Sequence, residues 1–323
     1  MPKPVVVAIL AFPRCQVLDV TGPAMVFEGG NDALGNAYYH VHILSAEGGA
    51  IKTSCAVTLD TTSIDAVSPL SIDTLLIAGG DEHGLEQLAA NGSVRQWVIS
   101  ASKKARRYGS ICSGAFVLAH FGLLDGKRVA THWSKCADLA ERWPAVEVDR
   151  NALFVHEDRL WTSAGVTTGI DMSLEMVSKD VGHAVAHAIA KRLVLYARRP
   201  GYQAQFSPVL DAQSQAEAPF ATLIHWMREN LSKPLDVPRL ADRVSMSERT
   251  FLRKFTKSVG ETPAHFVETL RLDQTRSLLA AGLSLKEIAA KTGYLTAAQL
   301  SKAFDRRFGM TPVLFRELHC RGE

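Results

Sequence analysis

Two stretches in the last third of the chain repeat one another at a fixed offset of 49 residues, and this repeat constrains the fold more than any other feature. SERTFLRKFTKSVGETPAHF, residues 247–266, aligns with TAAQLSKAFDRRFGMTPVLF, residues 296–315. Ser247 falls on Thr296, Phe251 on Leu300, Phe255 on Phe304, Gly260 on Gly309, Thr262 on Thr311, Pro263 on Pro312 and Phe266 on Phe315. Self-similarity of this kind predicts one supersecondary unit present twice.

Each copy has the start and stop chemistry of a short helix pair. Asp236 can cap a helix over 237–244, a turn follows at Ser245 and Met246, Ser247 caps the next helix, and Gly260 supplies a left-handed residue to end it. In the second copy Ser284 and Glu287 form a capping box, Gly293 occupies the turn and Thr296 caps the second helix. Between the units, residues 263–281 read as a helix with Thr262 as cap, Pro263 in first position and Gly282 beyond its end. Nineteen residues at 1.5 Å each give about 28 Å, close to the roughly 34 Å between successive major-groove faces.

Helix, short turn, helix is the geometry that lays a recognition helix in a major groove. With Phe251 and Phe255 inward, Arg249, Thr250 and Arg253 turn outward near the N-terminal half of the first such helix, where base edges are met. With Leu300 and Phe304 inward, the second presents Ala298, Gln299 and Lys302, with Thr296 at its start. Lys254, Lys257, Arg306 and Arg307 read as phosphate contacts or as solvated charge. Residues 215–323 hold 17 basic against 12 acidic side chains, a net +5 against −2 for the remainder, and this asymmetry points to a polyanion. The alternative is a helical protein-docking domain, against which these exposed cations count.

ADRVSMSERTFLRKF followed by IAAKTGYLTAAQLSKAFDRRFGMTPVLFR resembles the AraC family of bacterial regulators over roughly residues 220–318. The resemblance implies double-stranded promoter DNA as partner, bound by two helix-turn-helix units. Ala297 and Ala298 offer fewer hydrogen-bond donors than many members carry there, which leaves the second unit to methyl and backbone contacts.

Ahead of the repeat, short β-type runs alternate with helical stretches. Strands are expected over 5–11, 39–45, 74–78, 108–112 and 160–163, and helices over 22–33, 93–107, 114–121, 134–142, 169–179 and 183–198. Continuous apolar runs such as VVVAILA and TLLIAGG suit a parallel sheet buried on both faces, hence a flavodoxin-like, doubly wound α/β domain followed by an all-α domain. The polar, aperiodic stretch 198–219 reads as a linker, giving domains 1–200 and 218–323 joined by 201–217. No run of about 18 apolar residues predicts a membrane span, and the short apolar run after Pro4 meets Pro13 and Arg14, which suits a first strand better than a signal peptide. A cytoplasmic location is the expectation.

Five scattered cysteines, Cys15, Cys55, Cys112, Cys136 and Cys320, form neither a paired framework nor a CxxC zinc site. Cys112 lies in YGSICSGA, where a strand runs into a helix start; an elbow of this kind brings a sulfur near helix-start amides, which lower a thiol pKa. It is either a nucleophile or a buried thiol lining a pocket. Gly79 and Gly80 end another strand and let backbone amides approach an oxyanion. Asp19 adds a carboxylate to the same sheet edge or merely caps a helix, and His132 is either a base or a hydrogen-bonded core histidine. His183 and His187 share a helix face without a third ligand, so neither a metal nor a cofactor is expected.

LDVTGPAMVF, LLIAGG, ICSGAFVLAHFGLLDGKRVATHW and TSAGVTTGIDMSLEMV together resemble the DJ-1/PfpI superfamily, which includes amidase-like, glyoxalase-like and isocyanide hydratase enzymes. By position the resemblance makes Cys112 the elbow cysteine, Asp19 the acid that addresses it, and Gly79 and Gly80 the oxyanion-side glycines. Ser113 stands where protease-like members carry histidine, and Ala78 where proline is common. A DJ-1/PfpI-like domain joined to an AraC-type tail is similar to the GlxA-type regulators. That likeness implies a transcriptional activator, not an enzyme, that dimerises through the first domain, works with RNA polymerase, and responds to a small nitrogenous effector. The effector is expected at Asp19, Gly79, Gly80, Cys112, Ser113 and His132. The alternative is a cysteine-dependent hydratase or hydrolase using Cys112 and Asp19 with an attached DNA-binding domain.

Overall fold

The computed structural model describes residues 4–195, 199, 201, 218–259, 261–308 and 310–319. The chain divides into two compact units, Met1–Gln205 and Phe206–Glu323. Most of the linker expected at 201–217, the end of the helix expected over 183–198, Gly260 and Cys320 lie outside the described residues.

The first unit is built on an eight-stranded sheet. Its strands are β1 (Val5–Leu10), β2 (Tyr39–Ser45), β3 (Gly49–Lys52), β4 (Thr58–Ser63), β5 (Thr74–Ile77), β6 (Arg107–Ile111), β9 (Phe154–Glu157) and β10 (Leu160–Ser163), in the order β3-β4-β2-β1-β5-β6-β10-β9. The pairs from β4 through β10 are parallel, and the two outermost strands, β3 and β9, run antiparallel to their neighbours. Val7, Ala8, Ile9, Leu10, Leu75, Leu76 and Ile77 are all fully buried, as central parallel strands covered on both faces require. A two-stranded ribbon, β7 (Arg128–Val129) with β8 (Glu147–Val148), stands apart from this sheet.

The sheet is covered by α1 (Val17–Leu34), α2 (Glu82–Ala90), α3 (Gly92–Lys104), α4 (Ala115–His120), α5 (Cys136–Arg142), α6 (Thr167–Val181) and α7 (His183–Arg192). α1 departs from the sequence expectation: it begins five residues before Gly22, with Pro23 inside it. Pro23 has no N–H for the Asp19 carbonyl one turn back, so the Gly-Pro pair reads as a helix start although the helix is already under way. Packing holds it together, because a Cβ at Gly22 would come within 2.9 Å of Ile170 on α6. α2, capped by the Asp81 carboxylate on Gly84 N at 2.9 Å, and the strands β3 and β4 at one side of the sheet had no counterpart in the sequence expectation. α7 ends at Arg192, with Leu193 as its C-cap.

The second unit is helical: α8 (Ala218–Glu229), α9 (Val237–Arg243), α10 (Glu248–Val259), α11 (Pro263–Ala280), α12 (Leu285–Thr292), α13 (Ala297–Phe308) and α14 (Pro312–His319). The caps are made where the sequence places them. Asp236 accepts from Arg239 N at 3.1 Å, Ser247 from Thr250 N at 3.4 Å, Thr262 from His265 N at 3.4 Å and Thr296 from Gln299 N at 3.1 Å. The Ser284–Glu287 capping box is complete, and Gly293 adopts the left-handed conformation at φ 75°. The repeat is a repeat of core positions. Phe251, Phe255 and Phe266 pack with Phe220 in the first helix-turn-helix, and Leu300, Phe304 and Phe315 occupy the matching buried places in the second.

Candidate functional site

β6 delivers the chain to the elbow at its carboxyl end. Cys112 has φ 56°, a left-handed conformation that a non-glycine residue holds only when its surroundings dictate it. Three glycines make room. A Cβ at Gly165 would lie 2.1 Å from Cys112 Cβ, one at Gly79 would lie 2.7 Å from the same atom, and one at Gly114 would lie 2.3 Å from Ile77 O. Thr131 Oγ1 donates to Cys112 O at 2.8 Å and completes the clamp.

Asp19 points into this elbow from the first turn of α1 and is fully buried. Its carboxyl accepts from Gly79 N at 3.1 Å and from Val166 N at 2.7 Å, and it also takes the Cys112 thiol as a hydrogen-bond donor. Burial pushes Asp19 up to about 6 despite these three donors. The thiol is pushed up to about 12, first by burial and then by the Asp19 charge, against the smaller lowering effect of Ser113 N–H. This corrects the sequence expectation of a lowered thiol pKa: the helix-start amide is present, but desolvation and a carboxylate outweigh it. Burial and the neighbouring carboxyl thus both favour the protonated thiol, which donates to Asp19.

Of the residues singled out in the sequence, Asp19, Gly79, Gly80, Cys112 and Ser113 converge. Ser113 Oγ accepts from Gly80 N at 3.0 Å and donates to Gly80 O at 2.9 Å. The Gly79 and Gly80 amides are therefore both engaged inside the protein, by Asp19 and by Ser113. His132 sits one residue beyond the Thr131 contact, but its ring pairs with Ser134 Oγ at 2.8 Å and packs on Trp133; among the described contacts none joins it to the Cys112 sulfur. Thr131, Gly165 and Val166 were missed. The Ala-Gly pair in TSAGVTTG was the signal for Gly165 and Val166, which take φ 90° and 50° in succession, and none marked Thr131.

Ser113 also lines a cavity of about 220 Å³. Its other walls are Glu82, Leu85, Glu86, Ala89 and Ala90 of α2, Phe116 and His120 of α4, and Lys135, Asp138, Arg142 and Trp143 in and around α5. Phe116 and Trp143 meet edge to face at 5.7 Å, and the Arg142 guanidinium lies over both rings, 4.8 Å from the Trp143 centroid. Lys135 stands between Glu82 at 3.6 Å and Asp138 at 3.8 Å. Among the described residues no group of three or more His, Cys, Asp or Glu side chains is placed to hold a metal ion, and no helix is long and apolar enough to cross a membrane.

In the second unit α10 exposes Arg249, Arg253, Lys254 and Lys257, with Thr250 half-buried beside Ser247. α13 exposes Ala298, Gln299, Lys302, Arg306 and Arg307, and Thr296 at its cap. Arg306 is paired with Glu268 of α11, which the sequence reading did not foresee. Among the described contacts no ion pair engages the α10 cations, so α10 carries the denser unpaired positive charge there.

Two helix-turn-helix units with outward cations, in a chain that also folds a DJ-1-like α/β unit around an elbow cysteine, define a DNA-binding regulator. A DJ-1/PfpI family model matches residues 5–179, more than half of the chain, and a helix-turn-helix domain model matches residues 240–317. The chain is 29% identical over 276 residues to the HTH-type transcriptional regulator CdhR of Pseudomonas aeruginosa, covering 85% of this chain and 80% of that one. It is 27% identical to the regulator GlxA of Rhizobium meliloti, covering 87% and 86%, and 30% identical to an isonitrile hydratase of Pseudomonas putida over 54% of this chain and 71% of the enzyme. A ThiJ/PfpI family protein from Pseudomonas syringae shares the fold, with a TM-score of 0.55 at 22% identity over 70% of this chain and 87% of its own. The chain belongs to the DJ-1/PfpI family and carries an AraC-type helix-turn-helix domain, the arrangement of the GlxA-type transcriptional regulators.

Proposed function

We propose that this regulator is a cytoplasmic homodimer, paired through its first unit, that activates promoters with RNA polymerase under the control of a small nitrogenous metabolite bound beside the elbow. Residues 1–200 sense and dimerise, 201–217 link, and 218–323 bind DNA. Asp19, Gly79, Gly80, Cys112, Ser113 and His132 form or flank the floor of the effector site, and the cavity beyond Ser113 holds the body of the ligand.

The observation that carries this reading is the mixed lining of that cavity. Three carboxylates and two cations surround an apolar middle of Leu85, Ala89, Phe116 and Trp143. Lys135 is already shared between two acids, whereas Arg142 rests on aromatic rings and Glu86 has no ionic partner among the described contacts. A molecule bearing both an ammonium and a carboxylate group complements Glu86 and Arg142 together. A cavity of about 220 Å³ suits a small metabolite. Ser113 touches both the cavity and Gly80, so an occupant bears on the elbow. A preference of about 1.4 kcal/mol for one arrangement of the first unit shifts its population tenfold.

The protonated thiol, the engaged glycine amides and the serine following Cys112 all favour a receptor over a catalyst. The test is a thermal-shift screen of amino acids and quaternary amines on the full chain, run beside turnover of the same compounds and of isonitriles. A binder should raise the unfolding temperature of the first unit, keep doing so in Cys112→Ser, and lose its effect in Arg142→Ala. Turnover that vanishes in Cys112→Ser would refute the receptor reading.

A further inference from the structure

Leu295 is 89% exposed, more than any other large apolar side chain among the described residues. It is not at a frayed end. Gly293 before it is fixed in the left-handed conformation, Tyr294 N donates to Ala289 O at 2.9 Å, and Thr296 after it caps α13. An apolar residue directly ahead of an N-cap ordinarily folds back onto the fourth residue of the helix, forming a hydrophobic staple. That residue is Leu300, which is fully buried, while Leu295 stays in solvent. The staple is therefore not made.

The first helix-turn-helix does the opposite at the matching place. Met246, 49 residues earlier, is half-buried and packs against the core cluster of Phe251 and Phe255. The next matched positions also diverge. Glu248 and Arg249 in the first helix-turn-helix become Ala297 and Ala298 in the second, with Ala298 exposed. The start of α13 thus sets exposed Leu295 and Ala298 beside the exposed polar side chains of Thr296 and Gln299, followed along the same helix by exposed Lys302 and Arg307 and by Arg306, which pairs with Glu268.

The start of a recognition helix is the part that meets base edges, and thymine is the base that offers a methyl group in the major groove. We propose that Leu295 and Ala298 form a thymine-methyl reader, so that the second helix-turn-helix selects thymine by apolar contact while Arg249 and Arg253 of the first read by hydrogen bonding. The inference rests on the DNA-binding role of the second unit. The cations trailing the tip make a nucleic acid, not a protein surface, the fitting occupant.

The full chain is used to select duplexes from a random pool. Each thymine of the selected site is then replaced singly by deoxyuridine, which removes the methyl and leaves base pairing intact. Binding should weaken about fourfold at one or two thymines, the loss of roughly one buried methyl each. In Leu295→Ser, whose exposed position leaves the fold unchanged, deoxyuridine at those thymines should cost nothing further. Sensitivity to deoxyuridine that persists undiminished in Leu295→Ser, or its absence in the parent chain, overturns the proposal. So does a Leu295→Ser chain that keeps its DNA affinity and methyl discrimination but fails to activate transcription, which would make the tip a protein contact. Failure to select any duplex would overturn the DNA-binding role as well.

Discussion

Replacing Asp19 by asparagine isolates the electrostatic cost of the elbow. The carboxyl is fully buried and is pushed from the ordinary 3.8 up to about 6. A folded-state pKa above the unfolded one means that the stability associated with the protonated acid is complete below the unfolded pKa and is lost as pH rises through the folded value. The rise from 3.8 to about 6 corresponds to about 3 kcal/mol in total, of which about 2 kcal/mol falls between pH 4.5 and 7.5. Asparagine cannot ionise, so it escapes this loss, although its amide must oppose either Gly79 N–H or Val166 N–H with a donor. That second cost does not depend on pH. The assay is the free energy of local opening of β5 and α1, from hydrogen exchange of parent and Asp19→Asn chains at matched pH values. The parent should lose about 2 kcal/mol relative to the variant on going from pH 4.5 to 7.5. A difference that stays flat, or grows in favour of the parent, would refute the assignment of burial as the dominant influence on Asp19.

Gly165→Ala should destabilise the first unit by at least about 3 kcal/mol, because φ is 90° and the new methyl would lie 2.1 Å from Cys112 Cβ; an unfolding temperature within a few degrees of the parent would contradict the account of the elbow. Arg253→Ala should cost about 1–3 kcal/mol on the best duplex and relax preference at one base pair. Lys254→Ala should instead weaken all duplexes alike and reduce the salt slope by about one, as titrations at several salt concentrations would show.

The helical unit was legible because its periodicity, caps and duplicated core coincide: the phenylalanines that repeat at 49 residues are the ones that fill the two cores. The parallel centre of the sheet was legible for a similar reason, since β1 is apolar throughout and β5 is apolar but for Thr74. The edges were not. β4, TLDTTS, second from the margin of the sheet, is mostly polar and lacks the apolar run that marks a strand. The start of α1 was hidden by a proline that tertiary packing tolerates. In the site, the convergence of Asp19, Gly79, Gly80, Cys112 and Ser113 followed from their places at strand ends, but the thiol's protonation did not, because burial of the elbow is a property of the packed fold. The cavity was invisible for the same reason. Glu86, Phe116, Arg142 and Trp143 come from three separate segments that only the fold brings together.

The central claim is that a metabolite held by the first unit changes how the second engages DNA. Its most direct measurement is the affinity of the full chain for a selected duplex, titrated across salt, with and without a compound that stabilises the first unit. The account predicts a steep salt dependence and a tenfold or larger change in affinity or in site occupancy pattern on adding the compound, abolished in Arg142→Ala. Identical binding curves with and without a compound shown to occupy the cavity would contradict it.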